Sequence, residues 1–197
     1  MDTATFDFGP QTGIVARLAA DTPDARLGDP TPCPDYTVGV LLGHLTGLAF
    51  AFHDVARKIQ GPATGTPPGD TVPVLPADWR QALPRALAEL AEAWRDPAAW
   101  TGMTRAGGID LPGAVAAAVA ADELVVHGWD LARATGLPYV PDPAALDAAH
   151  AFLKAAEKDR GEGVFGPVVP VPGTAPLLDR AIGLSGRNPS WSPPREP

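Results

Sequence analysis

A single stripe of large apolar residues at helical spacing constrains this chain more than any other feature. Its members follow one another at intervals of four, three, four, three and four residues: Leu41, Leu45, Leu48, Phe52, Val55 and Ile59. That period places all of them on one face of an α-helix, whereas a strand would divide them between two faces. A helix with such a face is stable in water only when the face is buried. The stripe therefore predicts a helix over 38–59 that packs in a helical core.

Similar patterns elsewhere in the chain predict further helices against which the striped helix can pack. They predict helices over 11–27, 77–94, 113–135 and 143–158, with a last short helix over 175–184. Thr37 is a suitable N-cap for the striped helix, and Gly136 is a suitable residue to end the 113–135 helix. No alternating strand pattern of useful length is present, and only a short extended piece is expected near Ile109. We therefore predict an all-α fold, a four-helix bundle with additional short helices and Pro-rich loops.

The 24 prolines and 21 glycines lie mostly in a few segments, which mark the loops. Residues 29–35 contain three prolines and cannot be helical, because each proline lacks a donor and fixes φ. Residues 61–76 form a second loop of this kind, and the chain becomes Pro-rich again from about residue 160. A length of 197 residues suits one ordinary domain. We expect residues 1–197 to form a single domain with a Pro-rich C-terminal extension.

Charge and composition exclude several classes of partner and site. The 15 basic and 23 acidic residues give a net charge of −8, which argues against binding to nucleic acid or to an anionic membrane surface. Neither a run of 18 uncharged apolar residues nor an apolar N-terminus is present, so we expect no membrane span and no signal peptide. The single cysteine, Cys33, excludes a disulfide framework and is interpreted as a small buried apolar residue. We expect a cytoplasmic protein without nucleic-acid or membrane partners, with a homodimer left open as an alternative to a monomer.

Three titratable residues of the 113–135 helix lie on the side that should face the core. With about 100° per residue, His127 lies about 40° and Asp130 about 20° from Glu123 around the helix axis. Burying a carboxylate costs several kcal/mol unless it is paired or bound to a metal. Small residues in the same sector, Ala116 and Ala134 among them, leave room for a cavity. This sector is therefore the candidate place for chemistry.

Glu123 and His127 lie one helical turn apart and can supply two ligands to one ion. A third ligand must come from another helix. His44 lies about 60° from the centre of the apolar stripe, from which its side chain can reach the bundle axis. His53 lies about 120° from that stripe and is expected in solvent, and His150 has no acidic partner at ligand spacing. His44, Glu123 and His127 are therefore the candidate metal ligands.

Each of these residues also has a simpler interpretation. Glu123 and His127 are compatible with an ion pair, either buried or on the surface, and His44 with a hydrogen-bonded core histidine. Asp130 is compatible with a salt bridge to Arg133, three residues later on the same helix. Spacing alone does not decide between these interpretations and a metal site.

Three segments of the chain resemble DinB-like metal-binding proteins, a group related to the metal-binding domain of mycothiol-dependent maleylpyruvate isomerase. The first is Thr-Pro-Cys-Pro-Asp-Tyr-Thr-Val at 31–38 with Leu-Leu-Gly-His-Leu at 41–45, and it departs from the family's usual Gly-Trp at Asp35-Tyr36. The second is Asp-Glu-Leu-Val-Val-His-Gly-Trp-Asp-Leu-Ala at 122–132. The third is Gly-Arg-Asn-Pro-Ser-Trp at 186–191, so the likeness extends over nearly the whole chain.

The resemblance implies a DinB-like four-helix bundle with a divalent metal held by His44, Glu123 and His127. Zinc is the first expectation, and two histidines with a carboxylate also suit nickel, iron or manganese. The resemblance places Asp130 beside the metal, as the candidate catalytic residue. The isomerase also draws an arginine from an additional C-terminal domain. Here the candidates for that arginine are Arg180 and Arg187.

The resemblance also implies a reaction. Three protein ligands leave coordination positions for water or substrate, as in catalytic zinc sites. A metal lowers the pKa of a bound thiol, and the thiolate can attack an electrophilic carbon while Asp130 accepts a proton or orients a ligand. We therefore expect a metal-dependent enzyme of the mycothiol-type S-transferase or isomerase class. The alternatives are a non-catalytic metal-binding or interaction module, and a metal-assisted reaction without a thiol in the same pocket.

Overall fold

This computed structural model describes residues 5–34, 36–67, 72–157 and 166–194, which form helices and one β-hairpin. The elements in chain order are α1 (Gly9–Asp21), α2 (Val38–Ala56), α3 (Pro62–Gly65), α4 (Trp79–Ala93), β1 (Met103–Ala106), β2 (Ile109–Pro112), α5 (Gly113–Thr135), α6 (Pro143–Ala156) and α7 (Leu177–Leu184). Short 3₁₀ turns occupy Asp24–Arg26 and Pro97–Trp100. The predicted all-α fold is confirmed.

Helices α1, α2, α4 and α5 form the bundle. Both α1 and α2 pack against α4 and α5, and α6 covers a further face of α5 with α7 packed beside it. The main core contains the apolar stripe of α2 together with leucines of α4 and alanines of α5. A second apolar cluster joins Val126 and Trp129 of α5 to α6 and α7. Helix α5 is therefore buried on most sides, and a polar residue on it must find a partner inside the protein.

The helix bounds agree with the sequence analysis at α5 and differ at α1 and α2. Helix α5 covers the predicted 113–135 and ends at Gly136, which takes a left-handed φ of 76°. Helix α1 ends at Asp21 rather than near residue 27, because Thr22 precedes a proline and is extended. The Thr37 side chain accepts a hydrogen bond from the amide of Val40, as expected of the N-cap of α2. Helix α2 ends three residues before Ile59, which is 49% exposed.

Other predicted bounds are shifted or fall outside the described residues. Helix α7 begins at residue 177 rather than 175, and the short helix α3 interrupts the predicted loop over 61–76. The predicted end of α6 at residue 158 and the start of the Pro-rich extension lie outside the described residues. Residues 166–176 of that extension contain no helix or strand.

The β-hairpin is the element that the sequence analysis missed, apart from the extended piece expected near Ile109. Its strands pair antiparallel around Gly107 and Gly108, whose φ values are 56° and 81°. A two-residue turn with positive φ at both positions matches the twist of the paired strands, and two glycines favour it. The strands are only four residues long, too short for alternation to be recognised. The Thr104 hydroxyl donates to the carbonyl of Val55 and holds the hairpin on the end of α2.

Among the described helices, α2 alone is long and apolar enough by length and composition to cross a membrane. Of its apolar window, 56% is buried inside the bundle. The helix also carries His44 and Asp54. We interpret α2 as the central helix of the bundle, since a core helix passes the same test of length and hydropathy.

A segment without helix or strand, residues 72–76, packs against α2 at Gly43, the residue before His44. A Cβ added to Gly43 would lie 2.8–2.9 Å from backbone atoms of Val74 and Leu75. Such contacts are too close for any side chain, so Gly43 allows the segment to approach the helix. This approach covers α2 at the turn that carries His44.

We predict that Gly43→Ala destabilises the protein by about 1–3 kcal/mol, because the added methyl group overpacks a backbone contact. Gly47→Ala is the matched control on the same helix, since nothing lies within 4 Å of its added Cβ. The control should be neutral or stabilising by up to about 1 kcal/mol through helix propensity. Urea unfolding followed by circular dichroism measures both, and equal stabilities would contradict the close contact at Gly43.

Candidate metal centre

Helices α2 and α5 bring three potential ligands together. One ligand atom from each of His44, Glu123 and His127 lies within 4.8 Å of the others. The Glu123 Oε2 atom is the centre of the group, 3.3 Å from Nε2 of His44 and 3.1 Å from Nε2 of His127. The two imidazole rings meet edge to face with their centroids 4.7 Å apart. Two helices thus bring the three residues that the sequence pattern singled out to one point.

The cluster lies at the edge of the core rather than deep inside it. The side chains of His44 and Glu123 are 26% and 30% exposed, whereas that of His127 is 9% exposed. Because two of the three potential ligands reach solvent, a small molecule can approach the cluster from the side of His44 and Glu123. His44 is therefore a member of a partly exposed cluster of three side chains rather than an isolated core histidine.

An aromatic ring from the Pro-rich loop before α2 forms a wall beside the cluster. The Tyr36 ring centroid lies 5.4 Å from that of His44 and 6.4 Å from that of His127, nearly parallel to the latter. The Thr31 hydroxyl fixes this loop, because it lies 2.8 Å from the carbonyl of Tyr36 and accepts from the amide of Cys33. The prolines in this segment therefore belong to a turn, and this turn places the Tyr36 ring against the imidazoles of His44 and His127. Cys33 itself is half-buried, not the fully buried residue predicted from its loop.

Both ring nitrogens of His127 face carboxylates. Nδ1 lies 2.9 Å from Oδ2 of Asp130, and Nε2 faces Glu123. Burial alone would lower the pKa of His127, but the hydrogen bonds to Asp130 and Glu123 outweigh it and raise the pKa to about 9. Burial likewise opposes ionisation of Glu123, but the hydrogen bonds from His127 and His44 hold its pKa well below the usual range. Without a metal, His127 therefore carries a proton on the nitrogen that faces Glu123.

Asp130 is fully buried and is paired with Arg187 from the segment after α7. The guanidinium Nε lies 3.2 Å from both carboxylate oxygens, and Nη2 lies 3.1 Å from Oδ2. The alternative pairing with Arg133 is wrong, because Arg133 donates to the carbonyl of Pro189 and its guanidinium lies over Trp129. Asp130 is thus bonded to one potential ligand, His127, and is not one of the three clustered side chains.

The sequence analysis missed one buried carboxyl group in this region, that of Asp122. The residue is 4% exposed, and its Oδ1 atom has no hydrogen-bond partner among the described residues. Burial raises its pKa well above the usual value, and the charge of Glu123 adds to that effect. Asp122 lies about 100° from Glu123 around the helix. Nothing in the sequence spacing distinguishes it from a solvated aspartate.

The structure does not bring the other considered residues to the cluster. His53 is half-buried rather than solvated and lies 3.1 Å from Oδ1 of its neighbour Asp54. Burial lowers the pKa of His150, and the positive charge of Arg180 adds to that effect. The two candidate arginines thus differ in place: Arg187 contacts Asp130, whereas Arg180 lies beside His150 on the α6–α7 side.

The chemistry of the donor set fits a divalent metal. Two imidazoles and one carboxylate are ligands that zinc accepts, and the same set suits nickel, iron or manganese. A metal-bound histidine commonly gives its other ring N–H to a carboxylate, which fixes the tautomer and the ring orientation. Asp130 stands in that position relative to His127. The residues that could hold the ion are therefore His44, Glu123 and His127.

Comparisons with known proteins agree with this fold. The sequence profile of the family described as mycothiol maleylpyruvate isomerase N-terminal domain matches residues 8–132. Two uncharacterized proteins, from two strains of Mycobacterium tuberculosis, are each 28% identical over 177 residues, which cover 87% of this chain and 91% of theirs.

Two solved structures also resemble this chain. The crystal structure of the mycothiol-dependent maleylpyruvate isomerase aligns with a TM-score of 0.61 at 18% identity, over 94% of this chain and 92% of that one. A point mutant of the isomerase aligns with a TM-score of 0.51 at 19% identity, over 78% and 70%. These likenesses confirm the DinB-like bundle as the fold.

We predict that the purified protein binds one divalent ion per chain and that Glu123→Gln and His127→Ala abolish stoichiometric binding. Each variant removes one of only three protein ligands. His53→Ala is the matched control, because His53 lies on the same helix as His44 but outside the cluster. Elemental analysis after dialysis measures the stoichiometry. Full metal content in both ligand variants would show that the ion binds elsewhere.

We also predict that metal binding strengthens as the pH rises towards 9. The metal must displace the proton that Nε2 of His127 holds below its pKa of about 9, so raising the pH removes a competitor. The apparent affinity should increase about tenfold per pH unit below that pKa and level off above it. Calorimetry in buffers of different ionisation enthalpy should detect the released proton. An affinity independent of pH would mean that His127 is not a ligand.

Proposed function

This chain belongs to the mycothiol maleylpyruvate isomerase N-terminal domain family, and we propose that it is a divalent-metal-dependent enzyme that uses a low-molecular-weight thiol. The observation that carries the proposal is the convergence of His44, Glu123 and His127 at the edge of the core. Three ligands leave coordination positions open to solvent, as catalytic sites do, whereas structural zinc sites are closed by four. The solved relatives are named for a mycothiol-dependent isomerase, which supports mycothiol as the thiol.

A divalent metal held by His44, Glu123 and His127, zinc in the first instance, would lower the pKa of a thiol bound to it. Glu123 is already ionised when the site is metal-free, because its two imidazole partners stabilise the carboxylate. The Asp130 carboxylate accepts the Nδ1–H of His127, which leaves Nε2 of that ring to face the cluster. Glu123 is thus held in the anionic state that a cationic centre requires, whereas His127 must release its Nε2 proton when the metal binds.

The contacts of Asp130 favour an orienting role over proton transfer. Its Oδ2 atom accepts from His127, and both oxygens accept from Arg187, so neither is free to take a proton from a substrate. The Tyr36 ring covers one side of the two imidazoles. The partly exposed edges of His44 and Glu123 remain as the side from which a thiol and a small electrophilic substrate enter.

We further propose that the whole chain acts as one domain on small molecules in the cytoplasm, without nucleic acid or membrane partners. The net charge of −8 supports the exclusion of nucleic acid, because phosphate binding requires a clustered basic face. The packing of α6 and α7 onto α5 supports a single domain, since the C-terminal helices share apolar contacts with the bundle.

We predict that protein loaded with cobalt(II) develops a thiolate-to-cobalt charge-transfer band when mycothiol is added. The band reports a bond between the thiolate and the metal, which is the step that distinguishes thiol chemistry from other metal-assisted reactions. The Glu123→Gln variant, which should not hold cobalt, is the negative control. Bound cobalt that shows no new band with mycothiol or a panel of other thiols would favour the thiol-independent reaction. Turnover of a thiol with a panel of electrophiles then separates an enzyme from a non-catalytic metal-binding module.

A further inference from the structure

The proposed function gives no role of its own to the third motif of the sequence, Gly-Arg-Asn-Pro-Ser-Trp at 186–191, beyond the contact of Arg187 with Asp130. This segment lies beyond residues 8–132, the part that the family profile matches. Its arginine nevertheless reaches the metal centre, because Arg187 pairs with the buried carboxylate of Asp130. The motif therefore has a physical link to α5 that its distance along the chain, 57 residues from Asp130, does not indicate.

The turn at the end of α7 places Arg187 beside Asp130. Gly186 follows the helix with a φ of 89°, the amide of Arg187 donates to the carbonyl of Ile182, and that of Gly186 donates to Gly183. This is the pattern by which a left-handed glycine closes a helix C-terminus and reverses the chain. A Cβ on Gly186 would lie 2.9–3.0 Å from the backbone of Gly166, so the turn is also packed against the segment before α7. The direction of Arg187 is thus fixed by its backbone.

Asp130 needs a second cationic partner. The carboxyl groups of Asp122, Glu123 and Asp130 lie within nine residues of one helix, and Asp130 is 0% exposed. His127 bonds Oδ2 of Asp130 and leaves Oδ1 to another donor. A buried carboxylate with an unmet oxygen is unstable in its position and tends to reorient towards another donor. Arg187 meets both oxygens with the planar fork that suits a carboxylate.

We propose that Arg187 is a positioning residue of the metal centre. It holds the Asp130 carboxylate oriented towards Nδ1 of His127, and Asp130 in turn fixes the tautomer in which Nε2 of His127 is the metal ligand. The inference rests on the proposed metal centre for its consequence, but the contacts that carry it exist in the metal-free protein. The C-terminal turn of α7 is, on this account, part of the site.

The same contacts argue against Arg187 as the arginine that anchors an anionic substrate. All three of its nitrogens are engaged, Nε and Nη2 with Asp130 and Nη1 with the carbonyl of Ser185. Its charge is balanced by the Asp130 carboxylate, which also raises the pKa of Arg187 against the effect of burial. A guanidinium with these contacts is poorly suited to bind a substrate carboxylate.

The test compares Arg187→Gln and Arg187→Lys with the control Arg133→Gln. Arg133 also ties the C-terminal segment to α5, through the carbonyl of Pro189, but does not touch Asp130. Zinc affinity is measured by competition with a chromophoric chelator, and the Nδ1–H signal of His127 by isotope-edited NMR of the metal-free protein. We expect Arg187→Gln to weaken zinc binding about 10- to 100-fold, the range typical of groups that orient a ligand. We also expect it to broaden or remove the Nδ1–H signal, whereas Arg133→Gln should change neither.

A double-mutant cycle with Asp130→Asn establishes that Arg187 acts through Asp130. If it does, Arg187→Gln added to Asp130→Asn weakens zinc binding no further. Equal weakening in both backgrounds, or wild-type affinity and an unchanged Nδ1–H signal in Arg187→Gln, would overturn the inference. Arg187→Lys keeps the positive charge but lacks the planar guanidinium. It replaces Arg187→Gln in the same double-mutant cycle if the glutamine variant does not fold. Failure of the wild-type protein to bind zinc would count against the proposed function alone, because the NMR arm still decides the positioning role.

Discussion

The hydrogen-bond partners of the α5 carboxylates determine how the elements around this helix are joined. Asp130 has no contact with water and is held by His127 on one side and Arg187 on the other. Glu123 is held by the imidazoles of two helices. Two of these contacts also tie α5 to elements that are far apart in the chain, since α2 supplies His44 and the turn after α7 supplies Arg187. The polar groups of α5 therefore join surrounding elements to it, in addition to the contacts of its apolar faces.

The parts of the site that follow from helical periodicity could be predicted from the sequence. Glu123 and His127 had to share one face of α5 at a spacing of four residues, and His44 had to approach them once α2 buried its apolar stripe. The structure brings these three side chains together, and whether they bind a metal stays a prediction. The bounds of α5 were predictable for a local reason, because Gly136 can take the left-handed conformation that ends a helix.

The parts that depend on contacts between distant segments could not be predicted. Asp130 was assigned either to a catalytic role or to Arg133, the only arginine within a turn of it, whereas its partner is 57 residues away. The burial of Asp122 depends on elements packed against α5 and leaves no periodic signal. The β-hairpin had a local signal in Gly107 and Gly108, but its strands were too short to support it. Periodicity thus predicts which face of a helix is buried but not which side chain meets that face.

The central claim is that His44, Glu123 and His127 hold one divalent ion with positions open to a thiol. X-ray absorption at the metal edge of zinc-loaded protein tests it most directly. The account predicts two imidazole nitrogens and only nitrogen or oxygen neighbours at about 2.0–2.2 Å, with one sulfur added at about 2.3 Å when mycothiol is supplied. A sulfur neighbour before any thiol is added would place Cys33 in the site and contradict the account. So would a coordination shell that lacks the two imidazoles.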